Sequence, residues 1–169
     1  MRRLFRKDLA RNRGNTKGMF IVVCFRLASN LYIAAKRNII IMSLACIPLL
    51  LYKFTFDYIM SIYIPLGTQI GGGLVVFHGF GIVINENAVI GENVTIRHNV
   101  TIGGKAKNGR DCPKIGNNVD VGAGAILLGD IEIGEGASIG AGAVVLQSVP
   151  ANMVAVGNPA RIIPRADAG

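Results

Sequence analysis

From Ile64 onward the sequence is governed by a period of six. Aliphatic residues recur at Ile64, Ile70 and Val76, then at Ile84, Ile90, Ile96 and Ile102, then at Ile115, Val121, Leu127, Ile133, Ile139 and Val145. Glycine follows the aliphatic at positions 71, 91, 103, 116, 122, 134 and 140. A small or branched residue stands four places after it, as at Thr68, Val94, Val100, Val119, Ala125, Ala137 and Ala143. A unit this short cannot bury its own apolar side, so it must stack on copies of itself. Six residues suit a short strand and a turn, and the glycine after the aliphatic is expected to permit the corner. Three units close a triangular coil of roughly 18 residues, and the thirteen hexads give about four such coils with the aliphatics inside.

Two interruptions mark where function is expected, because loops on a rigid scaffold carry it. The step from Val76 to Ile84 is eight residues and contains His78, Gly79, Phe80 and Gly81; the step from Ile102 to Ile115 is thirteen, and 104–114 reads as a polar loop. His78 and His98 each lie two places after a hexad aliphatic. They therefore fall on one edge of the prism in adjacent coils, about 4.8 Å apart. Ala123 and Ala141 form a similar pair of small residues, which would let a ligand run close to the backbone.

Composition divides the chain near residue 60. Residues 1–60 hold eleven Lys/Arg against Asp8 and Asp57, a net charge of +9, whereas 61–169 are close to neutral and hold 20 of the 22 glycines. The basic surplus carries no base-reading motif and no basic–aromatic interleaving, so nucleic acid is not an expected partner. Within 19–37 the polar residues Arg26, Ser29, Asn30, Lys36 and Arg37 trace one narrow stripe on an apolar helix. The stretch 38–52 is uncharged and contains Pro48. Both fall short of the about 20 apolar residues that span a bilayer, and no signal-peptide cleavage site is evident. Two readings stay open for 1–60: helices packed on the protein or on other subunits with a solvated basic tail, or peripheral contact with anionic lipid. Cys24 and Cys46 lie in apolar runs and Cys112 in the polar loop, with no Cys-x-x-Cys or Cys/His cluster to suggest disulfides or zinc. A cytoplasmic location is expected, with the inner face of the membrane as its variant.

The segments Phe77-His78-Gly79, Gly81 to Glu86, Val100 to Gly104, Pro113 to Gly116, Gly122 to Ala125, Gly140 to Leu146 and Gly157 to Arg161, in this order, resemble the hexapeptide-repeat acyltransferases. The likeness is to the serine-acetyltransferase-like branch that includes colanic-acid and capsule O-acetyltransferases. It implies a mainly β fold, a left-handed parallel β-helix over 61–150, preceded by a short α-helical segment over 1–60 and followed by a tail over 151–169 that serves the CoA site. It also implies a homotrimer and acetyl-CoA as acyl-donor cosubstrate, with no permanently bound cofactor and no metal. A three-histidine metal site of the gamma-carbonic-anhydrase kind would need more than His78 and His98.

By the same resemblance His78 matches the catalytic base. An alcohol does not ionise near neutral pH, so the acceptor hydroxyl must lose its proton during attack, a role suited to imidazole. Glu86 is the expected orienting carboxylate. Gly104, Ala123 and Ala141 match the pantetheine path, with Lys114 and Arg161 for the nucleotide phosphates. Phe77, His98, Asp111 and Cys112 are the candidate acceptor contacts. Serine acetyltransferases place an acid where Phe77 stands and an Arg-His pair where Asp111 and Cys112 stand, which favours a sugar hydroxyl of a surface polysaccharide or its precursor over free serine. Serine or another small-molecule acceptor is the alternative.

Overall fold

The computed structural model describes residues 2–105 and 111–165. Three helices come first: α1 (Arg2–Arg11), α2 (Thr16–Ala35) and α3 (Ile39–Lys53), the last continued by a π-helical turn, Phe54–Ile59. Asn15 caps α2 by accepting from Gly18 N, and Asn38 caps α3 by accepting from Ile40 N and Ile41 N.

The rest winds as coils of very short strands. The first coil holds β1 (Ile62–Tyr63), β2 (Gln69–Ile70) and β3 (Val75–Phe77), and the second β4 (Ile82–Ile84), β5 (Val89–Ile90) and β6 (Thr95–Arg97). The third holds β7 (Thr101–Gly103), β8 (Lys114–Ile115) and β9 (Asp120–Val121), and the fourth β10 (Ile126–Leu128), β11 (Glu132–Ile133) and β12 (Ser138–Ile139). A partial fifth coil contains β13 (Val144–Val145) and β14 (Met153–Val156), against which β15 (Arg161–Pro164) folds back antiparallel. Every third strand pairs in parallel register, giving a first face β1-β4-β7-β10-β13, a second β2-β5-β8-β11 and a third β3-β6-β9-β12-β14. This is a left-handed parallel β-helix behind an N-terminal helical segment. All thirteen hexad aliphatics are buried, as are their i+4 companions such as Val94, Ala125 and Ala143. Because β14 continues the third face, the prism runs past residue 150 into the expected tail.

The corners differ from the expectation. Backbone with positive φ falls later than the hexad glycine, at Asn93 (57°), Asn118 (58°), Gly136 (69°) and Asn152 (61°) along one edge. Six of the seven hexad glycines, all but Gly103, are instead required for closeness between coils. A Cβ on Gly122 would stand 2.5 Å from the backbone nitrogen of Ala141 in the next coil, nearer than any side chain can sit. The period-six glycine therefore reports stacking distance, and asparagine shares the left-handed turning.

A solenoid needs its first coil covered, because the edge presents unpaired peptide groups. The helices provide the cover, and they do so with polar side chains. Asn12 donates to Leu74 O (2.8 Å), Asn15 to Val76 O (2.9 Å) and Arg11 to Gly73 O (2.7 Å). Arg26 donates to Ile70 O (2.8 Å) and Gly71 O (2.5 Å), and Ser29 to Leu66 O (2.6 Å). Asp8, 2% exposed, accepts from Gly73 N and Leu74 N and pairs with Arg26 at 2.9 Å. The expected solvated basic tail is thus a docked helix, with Lys7 paired to Glu92 at 2.5 Å; of the polar stripe, Arg26 and Ser29 face the prism, whereas Lys36 and Arg37 stay exposed.

Candidate functional site

The edge between the third and first faces collects the residues marked by sequence. His78 follows β3 and His98 follows β6; these strands pair Val76 with Ile96 and Phe77 with Arg97, so the histidines fall in the next register step. Their rings meet edge to face, with centroids 6.1 Å apart and planes at 77°. His78 is exposed and holds φ at 53°, a left-handed conformation uncommon outside glycine and asparagine-like residues, which turns the imidazole out at the corner. His98 is half-buried, and its Nδ1 is buried with no hydrogen-bond partner within the protomer. Down the same edge Gly124 N donates to His98 O (2.9 Å) and Gly142 N to Ala123 O (2.8 Å), which aligns Ala123 and Ala141 below the histidines in successive coils.

The edge ends at 157–161. Val144 N donates to Gly157 O (3.0 Å) and Ala160 N to Val144 O (2.9 Å), so this turn crosses beneath Ala141, and Arg161 emerges exposed at the start of β15. One continuous strip thus runs from an exposed imidazole, past small residues that leave backbone accessible, to a cation. Such a strip can seat a long thin ligand with an anionic end and hold its reactive end by a base. Phe77 is exposed beside His78 and stacks with Arg97, whose guanidinium lies 5.9 Å from the ring centroid and pairs with Asp120. Arg165, another cation of the C-terminal segment, reaches Gly136 O on a different edge.

Several expected members lie elsewhere. Glu86 follows β4, one corner on from His78, and lines a cleft of about 620 Å³ with Tyr32, Lys36, Lys53 and Tyr63. The length of β4 separates it from the histidine, so Glu86 does not orient His78 within one protomer. Gly104 follows β7 on that same second edge. Beside it Lys105 Nζ donates to Leu146 O (3.3 Å) and Lys105 N to Asp111 (3.1 Å). Lys114 points from the second face and faces Glu132 at 3.9 Å, away from the alanines. The middle of the polar loop, 106–110, lies outside the described residues.

Cys112 is the clearest correction. It is 4% exposed within the apolar core, and burial, followed by the charge of Asp111, pushes its thiol pKa up. A thiol so placed neither contacts an acceptor nor serves as nucleophile. Among the described residues no carboxylate hydrogen-bonds His78.

The outer surface of the first face has a feature that sequence reasoning missed. Tyr63, Val83, Thr101, Ile126 and Val144 align in register across five coils, an outward, mostly apolar ladder beside the histidine edge. The second face shows Gln69, Val89, Lys114 and Glu132 at its outward positions. The signal was present in sequence, at the place immediately before the hexad aliphatic, but it needed the faces to be told apart.

Residues 112–147 match the family described as bacterial transferase hexapeptide, six repeats. The chain is 38% identical over 156 residues to the Escherichia coli K12 protein named "Putative colanic acid biosynthesis acetyltransferase WcaB", covering 92% of this chain and 96% of that one. It is 39% identical over 149 residues to a serine acetyltransferase of Synechococcus elongatus, covering 88% of this chain and 57% of the relative. Among solved structures it is similar to soybean serine acetyltransferase (TM-score 0.80, 39% identity, 96% of this chain and 68% of that one). It is equally similar in fold to Brucella abortus serine acetyltransferase in complex with coenzyme A (TM-score 0.80, 34% identity, 96% and 67%).

Proposed function

The chain belongs to the hexapeptide-repeat acetyltransferases, in their serine-acetyltransferase-like branch, and from that premise we propose that it moves acetyl from acetyl-CoA to a sugar hydroxyl of a surface polysaccharide or its precursor. The observation that carries the acceptor class is the end-to-end likeness to a colanic acid acetyltransferase: 96% of that relative is covered, against 57% of the Synechococcus serine acetyltransferase. Phe77 beside His78 supports it, since an aromatic ring offers a stacking surface to a sugar and no charge to an ammonium group.

Acetyl-CoA lies along the edge with its pantetheine arm against Ala123 and Ala141 and its phosphates toward Arg161. His78 takes the proton of the acceptor hydroxyl as the oxygen attacks the thioester carbonyl. The carbon–sulfur bond then breaks, and the CoA thiolate receives the proton from the imidazole, leaving the ester and free thiol. No acyl-enzyme is needed, which agrees with the burial of Cys112. His98 packs its ring edge to face against His78 and stands with it at the acceptor end of the edge. The apolar ladder of the first face is the surface on which a second prism packs in a homotrimer, bringing the second edge, with Glu86, Gly104 and Asp111, toward a neighbour's histidine edge.

A second reading, serine as acceptor, is favoured by the likeness in fold and sequence to solved serine acetyltransferases. The two are separated by following thiol release from acetyl-CoA with free serine and with acetyl-free oligosaccharides of colanic-acid and capsular type. Turnover dependent on oligosaccharide supports the proposal, and efficient turnover of serine replaces it with the second reading.

A further inference from the structure

Helix α3 inverts the usual arrangement of a surface helix. Its large exposed residues are Ile39 (81%), Leu44 (75%), Leu50 (69%), Ile40 (67%), Ile47 (67%) and Leu51 (61%). At about 100° per residue they all fall within an arc of roughly 140°. The opposite side is the covered one: Ala45 is 1% exposed, and Tyr52 stacks on Phe56 at 4.4 Å, within the core. Ser43 also falls in the arc and donates its hydroxyl back to Ile40 O at 2.8 Å, which leaves the arc mostly aliphatic, and an exposed apolar patch of this width marks an interaction site.

The charges around it identify the occupant. Lys36 and Arg37 are exposed immediately before α3, and Lys53 is exposed in its last turn. The stack of Phe20 on Phe56 at 6.3 Å brings the start of α2 beside the end of α3, and there Arg13 and Lys17 are also exposed. The arc thus has cations at both ends, in a segment of net charge +9. Two copies of this face would bring those cations together, whereas an anionic bilayer neutralises them. Phe54 and Tyr58, both exposed, stand at the same end, where an interfacial helix carries its aromatics.

We propose that the outward arc of α3 docks on the surface of an anionic phospholipid bilayer, the helix lying in the plane of the interface with Leu44, Ile47 and Leu50 among the acyl chains. The stretch Ile39–Ile59 is long and apolar enough to span, but it lies down instead. Its inner side is held by the protein, through Ala45 and Tyr52 and at its end by Phe56 in the core, so it stays alongside α2 with one side free. This holds the prism beside the membrane without threading it.

The test uses full-length protein and vesicles of equal phosphatidylglycerol and phosphatidylcholine, with pure phosphatidylcholine as comparison. The chain has no Trp, so Leu50→Trp gives a single reporter. The expected results are at least tenfold stronger sedimentation with the anionic vesicles, a blue-shifted Trp emission quenched by brominated lipid, and a tenfold or greater loss in Leu44→Glu/Leu50→Glu with an unchanged melting temperature. Lys36→Glu/Arg37→Glu loses several-fold and removes the lipid-charge preference. Three results overturn the proposal: no wild-type binding to anionic vesicles, equal binding by Leu44→Glu/Leu50→Glu, or a fall in solution mass of that variant with vesicle binding untouched, which would make the arc a contact between copies. Deleting 1–57 is not a usable control, because it also strips the polar cap from the first coil.

Discussion

Helix α2 and the stretch Ile39–Ile59, α3 with its π-helical turn, are both long and apolar enough to cross a bilayer, and the protein uses them in opposite ways. In the apolar window of α2 39% is buried, in that of Ile39–Ile59 only 11%. The difference comes from a few polar side chains. Arg26, Ser29 and the capping Asn15 give α2 partners on the open edge of β2 and β3, so its polar stripe turns inward and its neighbours Ile21, Val22 and Phe25 follow into the core. Helix α3 has no such stripe, and packs through the side that bears Ala45 and Tyr52 while most of its aliphatics look outward. Hydrophobicity alone does not decide which helix is buried; the need of a solenoid end for hydrogen-bond partners does.

This contrast can be broken at several points. The largest stability effect is expected at Arg26→Ala, which strands Asp8 and the first-coil carbonyls of Ile70 and Gly71 and should cost about 3–5 kcal/mol in urea unfolding. A neutral result would mean that α2 is not the cap. Leu127→Ala, in the middle of the prism at 0% exposure, should cost about 2–5 kcal/mol by opening a cavity, and should leave vesicle binding unchanged. Leu44→Glu should leave stability within about 0.5 kcal/mol, because the residue touches little in the folded chain. A large loss there would show that the arc of α3 is covered. The smallest effect belongs to Lys7→Ala at the half-buried surface pair with Glu92. The hydrogen bond from Lys7, reinforced by its charge, lowers the Glu92 pKa, so the pair's contribution is present above the unfolded carboxylate value of about 4.3 and disappears as pH falls through the lower folded value. Lys7→Ala and the parent should therefore converge in melting temperature on acidification.

The prism was legible because its period is local: each hexad announces its own inward residue. The histidine edge was legible for the same reason, since two places after a hexad aliphatic is a corner, and three hexads return to the same corner. That rule also separates Glu86 from His78, since Ile84 is one strand beyond Val76 and its corner is the next one. Cys112 misled because Asp111 and Lys114 surround it in sequence, while the chain entering β8 turns the side chain inward. The cap was not legible at all. Arg26 finds Asp8 eighteen residues away and carbonyls at Ile70 and Gly71, and nothing local tells a stripe that faces water from one that faces an open sheet edge.

The central claim is that the edge bearing His78 performs the transfer, and it is tested by His78→Asn, a residue that tolerates the left-handed backbone at this corner but is no base. With acetyl-CoA and an oligosaccharide acceptor that the parent turns over, kcat should fall about 10²–10⁴-fold while the melting temperature is kept. A variant that turns over at close to the parental rate would contradict the account.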